Sequence, residues 1–211
     1  RDWVWEEAPL RARLHDRFLR LSRALASPLL AGTPEAWRWI DSELRGQVIT
    51  TCIGHGDFAP WNINQDARGI TVFDWEYAQD SATPLHDFFH FHSIQRILVR
   101  RSRLRPQALM ALLQDGRTHL QTVLATGDVS ADQVARMFGL YLLDTLSMYV
   151  ESSGGVDARD RVVADCVHCL GTLRLLRRPL TERATGVGAA SARWPLPNGA
   201  NGDATVSTGP R

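Results

Sequence analysis

The feature that most constrains this chain is a set of oxygen-bearing side chains around two short apolar segments. Asp57 is followed five positions later by Asn62, and a second carboxylate, Asp74, comes twelve residues after that. Transfer of a phosphoryl group needs a carboxylate that receives a hydroxyl proton. It also needs hard oxygen ligands that hold Mg²⁺ on the nucleotide phosphates. The pattern therefore indicates a phosphoryl-transfer site.

The residues around these side chains predict a strand followed by a hairpin. Residues 48–53 form a β-branched run, which is typical of a short strand. Residues 62–64 and 71–73 are expected to pair, because polar turn residues separate them. Such a hairpin would fold Asp74 back beside Asn62, so that both side chains could reach one ion.

Apolar residues at steps of three and four predict helices over most of the remaining chain. The predicted helices lie at about 6–26, 33–44, 85–101, 106–125, 130–149 and 157–176. Thr33 is expected to cap the second helix, and Ser130 to open the fifth with a capping box. Residues 181–211 are mostly Gly, Ala, Ser, Asn, Thr and Pro, which predicts a disordered tail. The expected fold class is mainly α with a small β-hairpin, that is, α+β.

Three linked motifs resemble the aminoglycoside phosphotransferase and choline kinase group, the small-molecule branch of the kinase-like fold. The first is His-Gly-Asp with a following Asn over 55–62, and the second is Phe-Asp-Trp-Glu-Tyr-Ala over 73–78. The third is Pro-Leu-His-Asp over 84–87. Three motifs in the right order are far more specific than a single short motif. The close match covers 53–91, about a fifth of the chain.

The resemblance implies a role for each residue of the first two motifs. Asp57 would be the catalytic base, and His55 would support it through a hydrogen bond. Asn62 and Asp74 would bind Mg²⁺ and, through the ion, ATP or another nucleoside triphosphate. Glu76 would reach the same metal through water.

The resemblance also implies a lobe and its supporting residues. Residues 1–180 would form the C-terminal lobe of the protein-kinase-like fold, with the catalytic loop at 53–64 and the metal-binding segment at 71–78. Asp87 would brace the catalytic loop from the third motif. Two aromatic residues flank the metal ligands and would contact the acceptor or pack beside it, namely Trp61 and Tyr77.

The same resemblance predicts that the N-terminal nucleotide lobe is missing or incomplete. That lobe carries a phosphate-covering Gly-rich loop and a lysine that pairs with the nucleotide phosphates. This chain has no lysine, since all 24 of its basic residues are Arg, and no Gly-rich loop precedes His55. We therefore expect the C-terminal lobe of a longer protein, or the product of a truncated gene.

The composition argues against several classes of protein. The formal net charge is +1, which favours neither a nucleic acid nor an acidic partner. No apolar run reaches the roughly 18 residues of a membrane-spanning helix. The three cysteines, an odd number, argue for a reducing compartment. We expect a cytoplasmic protein whose partner is a small-molecule hydroxyl acceptor, with no nucleic acid and no membrane; the number of subunits stays open.

Other clusters have a plainer structural interpretation, which the sequence favours. His86, His90 and His92 could form a zinc site, but His92 points away from the face that the other two share, so packing is preferred. Cys166 and Cys169 have C-x-x-C spacing without a second ligand pair, which favours core filling. A run of arginines between residues 96 and 105 is interpreted as a solvated face.

These features predict ATP-dependent phosphotransfer to a hydroxyl group of a small molecule. The alternative is a non-catalytic kinase-like module that binds or scaffolds a partner through the Trp-rich start of the chain. A metal-dependent hydrolase on the same carboxylates is a weaker third hypothesis, because two metal-ligand candidates are few for a two-metal site. Open acceptor classes are aminoglycosides, choline-like alcohols, sugars, homoserine-like amino acids and macrolides.

Overall fold

Helices separated by short strand pairs make up the described part of the chain. The structure, a computed structural model, describes residues 1–21, 27–124, 129–153 and 160–176. The helices are α1 Pro9–Arg20, α2 Thr33–Leu44, α3 His86–Leu98, α4 Pro106–Leu124, α5 Ala131–Ser152 and α6 Arg161–Leu176. The strands are β1 Asp2–Val4, β2 Val48–Thr50, β3 Cys52–Gly54, β4 Ile63–Asp66, β5 Gly69–Val72 and β6 Gln79–Ala82. Mostly helical, with small antiparallel strand pairs, the fold is α+β.

Some sequence predictions fall outside the described residues. The tail predicted at 181–211 lies there entirely, as do the end of the first predicted helix, 22–26, and the start of the last, 157–159. All described residues belong to one compact unit, Arg1–Arg177. The assignment of this unit to a kinase-like lobe stays a prediction.

The strand predicted at 48–53 is wrong as a single element, because the chain changes partner within it. β2 pairs antiparallel with β1, whereas β3 pairs antiparallel with β6. The break falls at the buried Thr51, whose backbone N–H donates to the carbonyl oxygen of Arg1 at 2.8 Å. A β-branched run predicts extended backbone, but it carries no information on which strand lies alongside.

The helix starts agree with the sequence prediction in part. Ser130 caps α5, since its hydroxyl accepts from the backbone N–H of Gln133 at 3.1 Å. Thr33 is not the cap of α2 but its first residue, because Gly32 takes the capping position in a left-handed conformation (φ 91°). α1 begins at Pro9, later than predicted, because a short 3-10 turn precedes it.

The core is built around α5, which packs against α1, α2, α3, α4 and α6. Phe138, Leu143 and Leu146 are fully enclosed on this helix. Gly139 lets α2 come close, because a Cβ there would lie 2.6 Å from Cδ1 of Ile40. Although α5 is strongly apolar, neither it nor any other helix of the described ranges is long and apolar enough to cross a membrane.

Candidate active site

The β4–β5 hairpin brings the first two motifs together. Ile63 pairs with Val72, and the backbone N–H of Phe73 donates to the carbonyl oxygen of Asn62 at 3.1 Å. Asp74 therefore leaves the hairpin one residue beyond the partner of Asn62. The hairpin prediction is confirmed, with strands that extend to the turn between Asp66 and Gly69.

Asp74 has an unusual backbone conformation for a residue with a side chain. Its φ of 66° and ψ of 58° lie in the left-handed region, which non-glycine residues rarely adopt. Such strain often occurs at functional sites, where the surrounding structure holds it in place. The carboxylate is exposed, and no residue of the described ranges forms a hydrogen bond or ion pair with it. It is therefore free to bind a ligand.

Asp57 lies where both of its carboxylate oxygens accept a hydrogen bond. Oδ1 lies 2.9 Å from Nε2 of His90, and Oδ2 accepts from Nδ2 of Asn62 at 3.0 Å. The hydrogen bond from His90 lowers the pKa of Asp57 most, burial opposes it, and the bond from Asn62 adds to the lowering. The carboxylate is therefore ionised at neutral pH and held in a fixed orientation.

Asn62 is buried, and its side chain is oriented by Asp57. Nδ2 donates to both the carbonyl oxygen of Asp57, at 2.9 Å, and its carboxylate. Since an amide nitrogen does not bind a cation, Oδ1 is the ligating atom that Asn62 could offer. An amide oxygen and the carboxylate of Asp74 are the hard donors that suit Mg²⁺, which usually keeps waters and phosphate oxygens as its remaining ligands. Glu76 lies exposed on the next turn, Trp75–Tyr77.

His55 connects the catalytic loop to the end of the hairpin. Its buried ring lies with Nε2 at 2.9 Å from the carbonyl oxygen of Phe73. Its Nδ1 accepts from the backbone N–H of Asp57 at 3.3 Å. These partners fix the neutral tautomer with the proton on Nε2. His55 thus contacts the backbone of Asp57, whereas the carboxylate of Asp57 is held by other side chains.

Asp87 holds the backbone of the catalytic loop. Oδ2 accepts from the N–H of His55 at 2.7 Å, and Oδ1 accepts from the N–H of Gly56 at 3.1 Å. Burial raises the pKa of Asp87, but the hydrogen bond from His86 and the two backbone donors outweigh it, so the pKa is lowered. These contacts place Asp87 at the position that the resemblance implies for a bracing residue.

Gly56 is required by the close approach of the catalytic loop to the turn Trp75–Tyr77. Its φ is +84°, and a Cβ at this position would lie 2.2 Å from the carbonyl oxygen of Tyr77. Real Cβ atoms do not come so near to a backbone oxygen. A side chain here would therefore push the turn that follows Asp74 away from the loop that carries Asp57.

A pocket of about 280 Å³ lies between the catalytic loop, α1 and α5. Gly56, Glu76 and Tyr77 line it, together with a buried acid, Asp144. Trp61 does not contribute to its wall. Of the two aromatic residues expected near the acceptor, only Tyr77 therefore lines this pocket.

Asp144 is the centre of a buried ionic cluster that sequence reasoning missed. The carboxylate accepts from Arg17 Nη1, from Arg13 Nη2 at 3.3 Å and from Gln79 Nε2 at 3.2 Å, and His86 Nε2 lies 3.6 Å away. Burial raises its pKa, but Arg13, His86 and Arg17 outweigh that effect and lower it. The sequence signal that could have indicated this cluster is a single acid inside a strongly apolar helix, because a buried carboxylate needs cationic partners.

The histidines after Pro84 have separate surroundings. His90 contacts Asp57, His86 lies between Asp87 and Asp144, and His92 packs against the ring of Phe88. In the described ranges, no three His, Cys, Asp or Glu side chains are grouped so that they could hold a metal ion. His90 is fully buried against Tyr141, which agrees with the packing role favoured for it, and its ring also forms a hydrogen bond with the candidate base that the sequence did not indicate.

The fold and these contacts define a helical unit in which the β4–β5 hairpin connects the loop that carries Asp57 and Asn62 to Asp74. The chain belongs to the phosphotransferase enzyme family, whose model matches residues 2–136. This match confirms the resemblance seen in the three motifs and implies phosphotransferase activity in general terms. No curated protein matches the chain.

Proposed function

We propose that the protein transfers the γ-phosphoryl group of ATP, or of another nucleoside triphosphate, to a hydroxyl group of a small molecule. The observation that carries this proposal is the surroundings of Asp57. Its ionised carboxylate is oriented by two donors, His90 and Asn62, and the backbone carbonyl of Asn62 pairs with Phe73, the residue before Asp74. The proposed base, Asp57, and a proposed metal ligand, Asn62, are therefore joined by a hydrogen bond.

Asp57 is the base of the proposed reaction. The acceptor oxygen forms a bond to the γ-phosphorus, the bond from that phosphorus to the bridging oxygen breaks, and the nucleoside diphosphate leaves. The hydroxyl proton moves to the carboxylate of Asp57. Because the transition state of phosphoryl transfer is loose, this proton moves late, and Asp57 acts mainly by orienting the hydroxyl group. A lowered pKa suits this role, since the carboxylate is already ionised when the acceptor binds.

Asn62 and Asp74 are the proposed Mg²⁺ ligands, with Glu76 as an outer ligand through water. When bound, the ion would neutralise the negative charge that develops on the phosphate oxygens. Asn62 would contribute Oδ1 and Asp74 its free carboxylate. The left-handed backbone of Asp74 turns the chain sharply at this residue, and His55 ties the preceding carbonyl to the loop.

The unit is proposed to be the C-terminal lobe of a kinase-like fold. Large apolar side chains are exposed around the catalytic loop and hairpin, at Ile53, Ile70, Phe73 and Trp75. All four lie on the strand, the hairpin and the turn next to Asp57 and Asp74, and exposed apolar residues that are contiguous commonly mark an interface. A nucleotide-binding lobe that covered this face would bury them and would hold the nucleotide above Asn62 and Asp74.

The pocket beside Gly56 is the proposed site of the acceptor. Tyr77 and Glu76 line it next to the catalytic loop, and the Asp144 cluster closes its inner wall. Its volume suits a small molecule rather than a polymer. Trp61 is 44% exposed and does not line this pocket, so we propose that it contacts the nucleotide or packs against a neighbouring residue.

The proposal is tested by calorimetric titration with Mg·ATP and by ADP release with a panel of hydroxyl compounds. We expect Asp57→Asn to lose most of the turnover and to keep Mg·ATP affinity, and Asp74→Asn to lose metal-dependent binding. Asp66→Asn is the matched control, because Asp66 is a carboxylate at the turn of the same hairpin whose side chain pairs with Arg68 and its backbone. Turnover of Asp57→Asn within about tenfold of the wild type, measured in the full-length protein, would refute the base assignment.

The exposed apolar face also favours one alternative, a binding or scaffold module without catalysis. In that case the full-length wild-type protein, nucleotide lobe included, would bind no Mg·ATP and release no ADP with any compound of the panel. Substitution of Ile53 or Phe73 by a polar residue would then abolish partner binding without affecting the fold. Binding of Mg·ATP that requires Asp74 rules this alternative out.

A further inference from the structure

His90 is a buried histidine whose only hydrogen bond within the described residues is to the candidate base. The side chain is 0% exposed, and Nε2 lies 2.9 Å from Oδ1 of Asp57, which is 33 positions away in the chain. The other ring nitrogen, Nδ1, is enclosed and has no hydrogen-bond partner there. The proton therefore belongs on Nε2, which donates to Asp57, and the imidazole is held as a single tautomer.

Packing alone does not account for a histidine at this position. An enclosed nitrogen without a partner lowers stability, because it has lost its hydrogen bond to water and gained none. An apolar side chain of similar size would fill the same space beside the ring of Tyr141 without that cost. What the imidazole adds is one N–H group aimed at one carboxylate oxygen.

The position of His90 on α3 gives this hydrogen bond a specific consequence. Asp87 lies three residues earlier on the same helix and holds the backbone N–H groups of His55 and Gly56. Residues three apart lie on the same face of a helix. One helix face therefore fixes both the backbone of the catalytic loop and the side chain of Asp57.

We propose that His90 is a positioning residue, which aims the carboxylate of Asp57 at the acceptor hydroxyl through its Nε2–H group; this inference rests on the proposed function. His90 holds Oδ1 while Asn62 holds Oδ2, so the carboxylate cannot rotate without losing a donor. The hydroxyl proton still moves to Asp57, and His90 neither gains nor loses a proton. Phosphoryl transfer depends on this aim, because a misplacement of about 1 Å can cost roughly a hundredfold in rate.

The test compares His90→Met with His90→Gln. Met fills the space without a donor, whereas the side-chain amide of Gln can place an N–H group near the position of Nε2. We expect Met to lower kcat for ADP release about tenfold to a hundredfold, with Mg·ATP affinity unchanged, because Asn62 and Asp74 keep their positions. Gln should recover most of the lost rate. The thermal midpoint of the His90→Met variant should equal or exceed that of the wild type, since the substitution removes the unpartnered Nδ1 of His90.

His168→Met is the matched control. His168 also uses Nε2 for a single hydrogen bond, to the carbonyl oxygen of Leu104 at 3.2 Å, on a helix away from the catalytic loop. Its substitution should leave kcat unchanged. A merely structural role for His90 would give the opposite result, in which Met loses thermal stability while kcat stays at the wild-type value.

Asp57→Asn separates a failure of this inference from a failure of the proposed function. If Asp57→Asn keeps the wild-type rate, or if the wild-type protein releases no ADP from Mg·ATP with any acceptor, the proposed function fails and the inference fails with it. If Asp57→Asn is inactive and His90→Met is as active as the wild type, only the inference is overturned. Should His90→Met fail to fold, imidazole NMR of the wild type decides: the Nε2–H signal of His90 must be protected from exchange, and Asp57→Ala must remove that protection.

Discussion

Gly56→Ala tests how closely the catalytic loop packs against the turn that follows the metal-binding segment. The new Cβ would lie 2.2 Å from the carbonyl oxygen of Tyr77 and 2.9 Å from its carbonyl carbon. Gly46→Ala is the matched control. Gly46 has a similar positive φ of +69°, but a Cβ there would meet no atom within 4 Å. The difference between the two variants therefore isolates the clash from the backbone conformation.

The expected loss of stability can be worked out for both variants. Placing alanine in the left-handed region costs about 1–2 kcal/mol. The reduced freedom of the unfolded chain returns about 0.4–1 kcal/mol. Gly46→Ala should therefore lower the free energy of unfolding by about 0–1.6 kcal/mol. Gly56→Ala adds an overpacking cost of about 1–3 kcal/mol, because the contacted atoms are backbone and cannot rotate away. Its total loss should be about 1–4.6 kcal/mol.

Urea unfolding of the wild type and both variants measures these changes. The loss is obtained from the shift of the midpoint, provided that the slope is the same in all three proteins. Because the loop that carries Asp57 must move away from the turn after Asp74, Gly56→Ala should also lower turnover, whereas Gly46→Ala should not. Equal losses of stability in the two variants would show that the loop and the turn are not in contact, and the reasoning would be refuted.

The Asp144 cluster and the Asp87 brace give the remaining predictions. Asp144→Asn should lower the free energy of unfolding by about 3–5 kcal/mol in urea titrations, because the cationic partners of a buried carboxylate lose their counter-charge. The pKa of Asp57, Asp87 and Asp144 is lowered in the folded protein, so the unfolded chain binds more protons at low pH. This stabilisation is complete above the unfolded pKa of about 3.9 and is lost as the pH falls through the folded pKa values. The thermal midpoint should therefore decrease once the pH is below about 4. The decrease should be less steep in Asp144→Asn, which lacks one of the three carboxylates. Asp87→Asn should speed hydrogen exchange at the amide of His55 or of Gly56 by at least about tenfold, since each amide uses a different carboxylate oxygen and Asn keeps only one; unchanged exchange at both amides would contradict the brace.

The hairpin and the catalytic loop could be predicted because their determinants are local. The order of Asp57, Asn62 and Asp74 is readable directly, and a polar turn between two short apolar segments brings the last two together. The bounds of most helices follow from apolar periodicity in the same way. The start of α2 was misplaced by one residue, because Thr33 and Gly32 both favour a capping position and only the backbone geometry decides between them.

The partners of His90 and Asp144 could not be predicted, because they depend on how distant elements meet. The contact between His90 and Asp57 depends on how α3, which begins within the third motif, is oriented relative to the catalytic loop. The partners of Asp144 on α1 lie 127 and 131 positions away. Periodicity shows which side of a helix faces the core, but it does not show which residues of other elements that side will contact. The sequence could indicate only that such polar residues need partners.

The unequal exposure of the tryptophans provides an optical reporter of the site. Trp61 lies in the catalytic loop and Trp75 follows Asp74, and they are 44% and 51% exposed, whereas Trp5 and Trp37 are enclosed in the core at 1% and 9%. A collisional quencher such as iodide would reach the first pair and spare the second. Any molecule seated over the loop would shield emission that the quencher otherwise removes, so occupancy could be followed by fluorescence without a label.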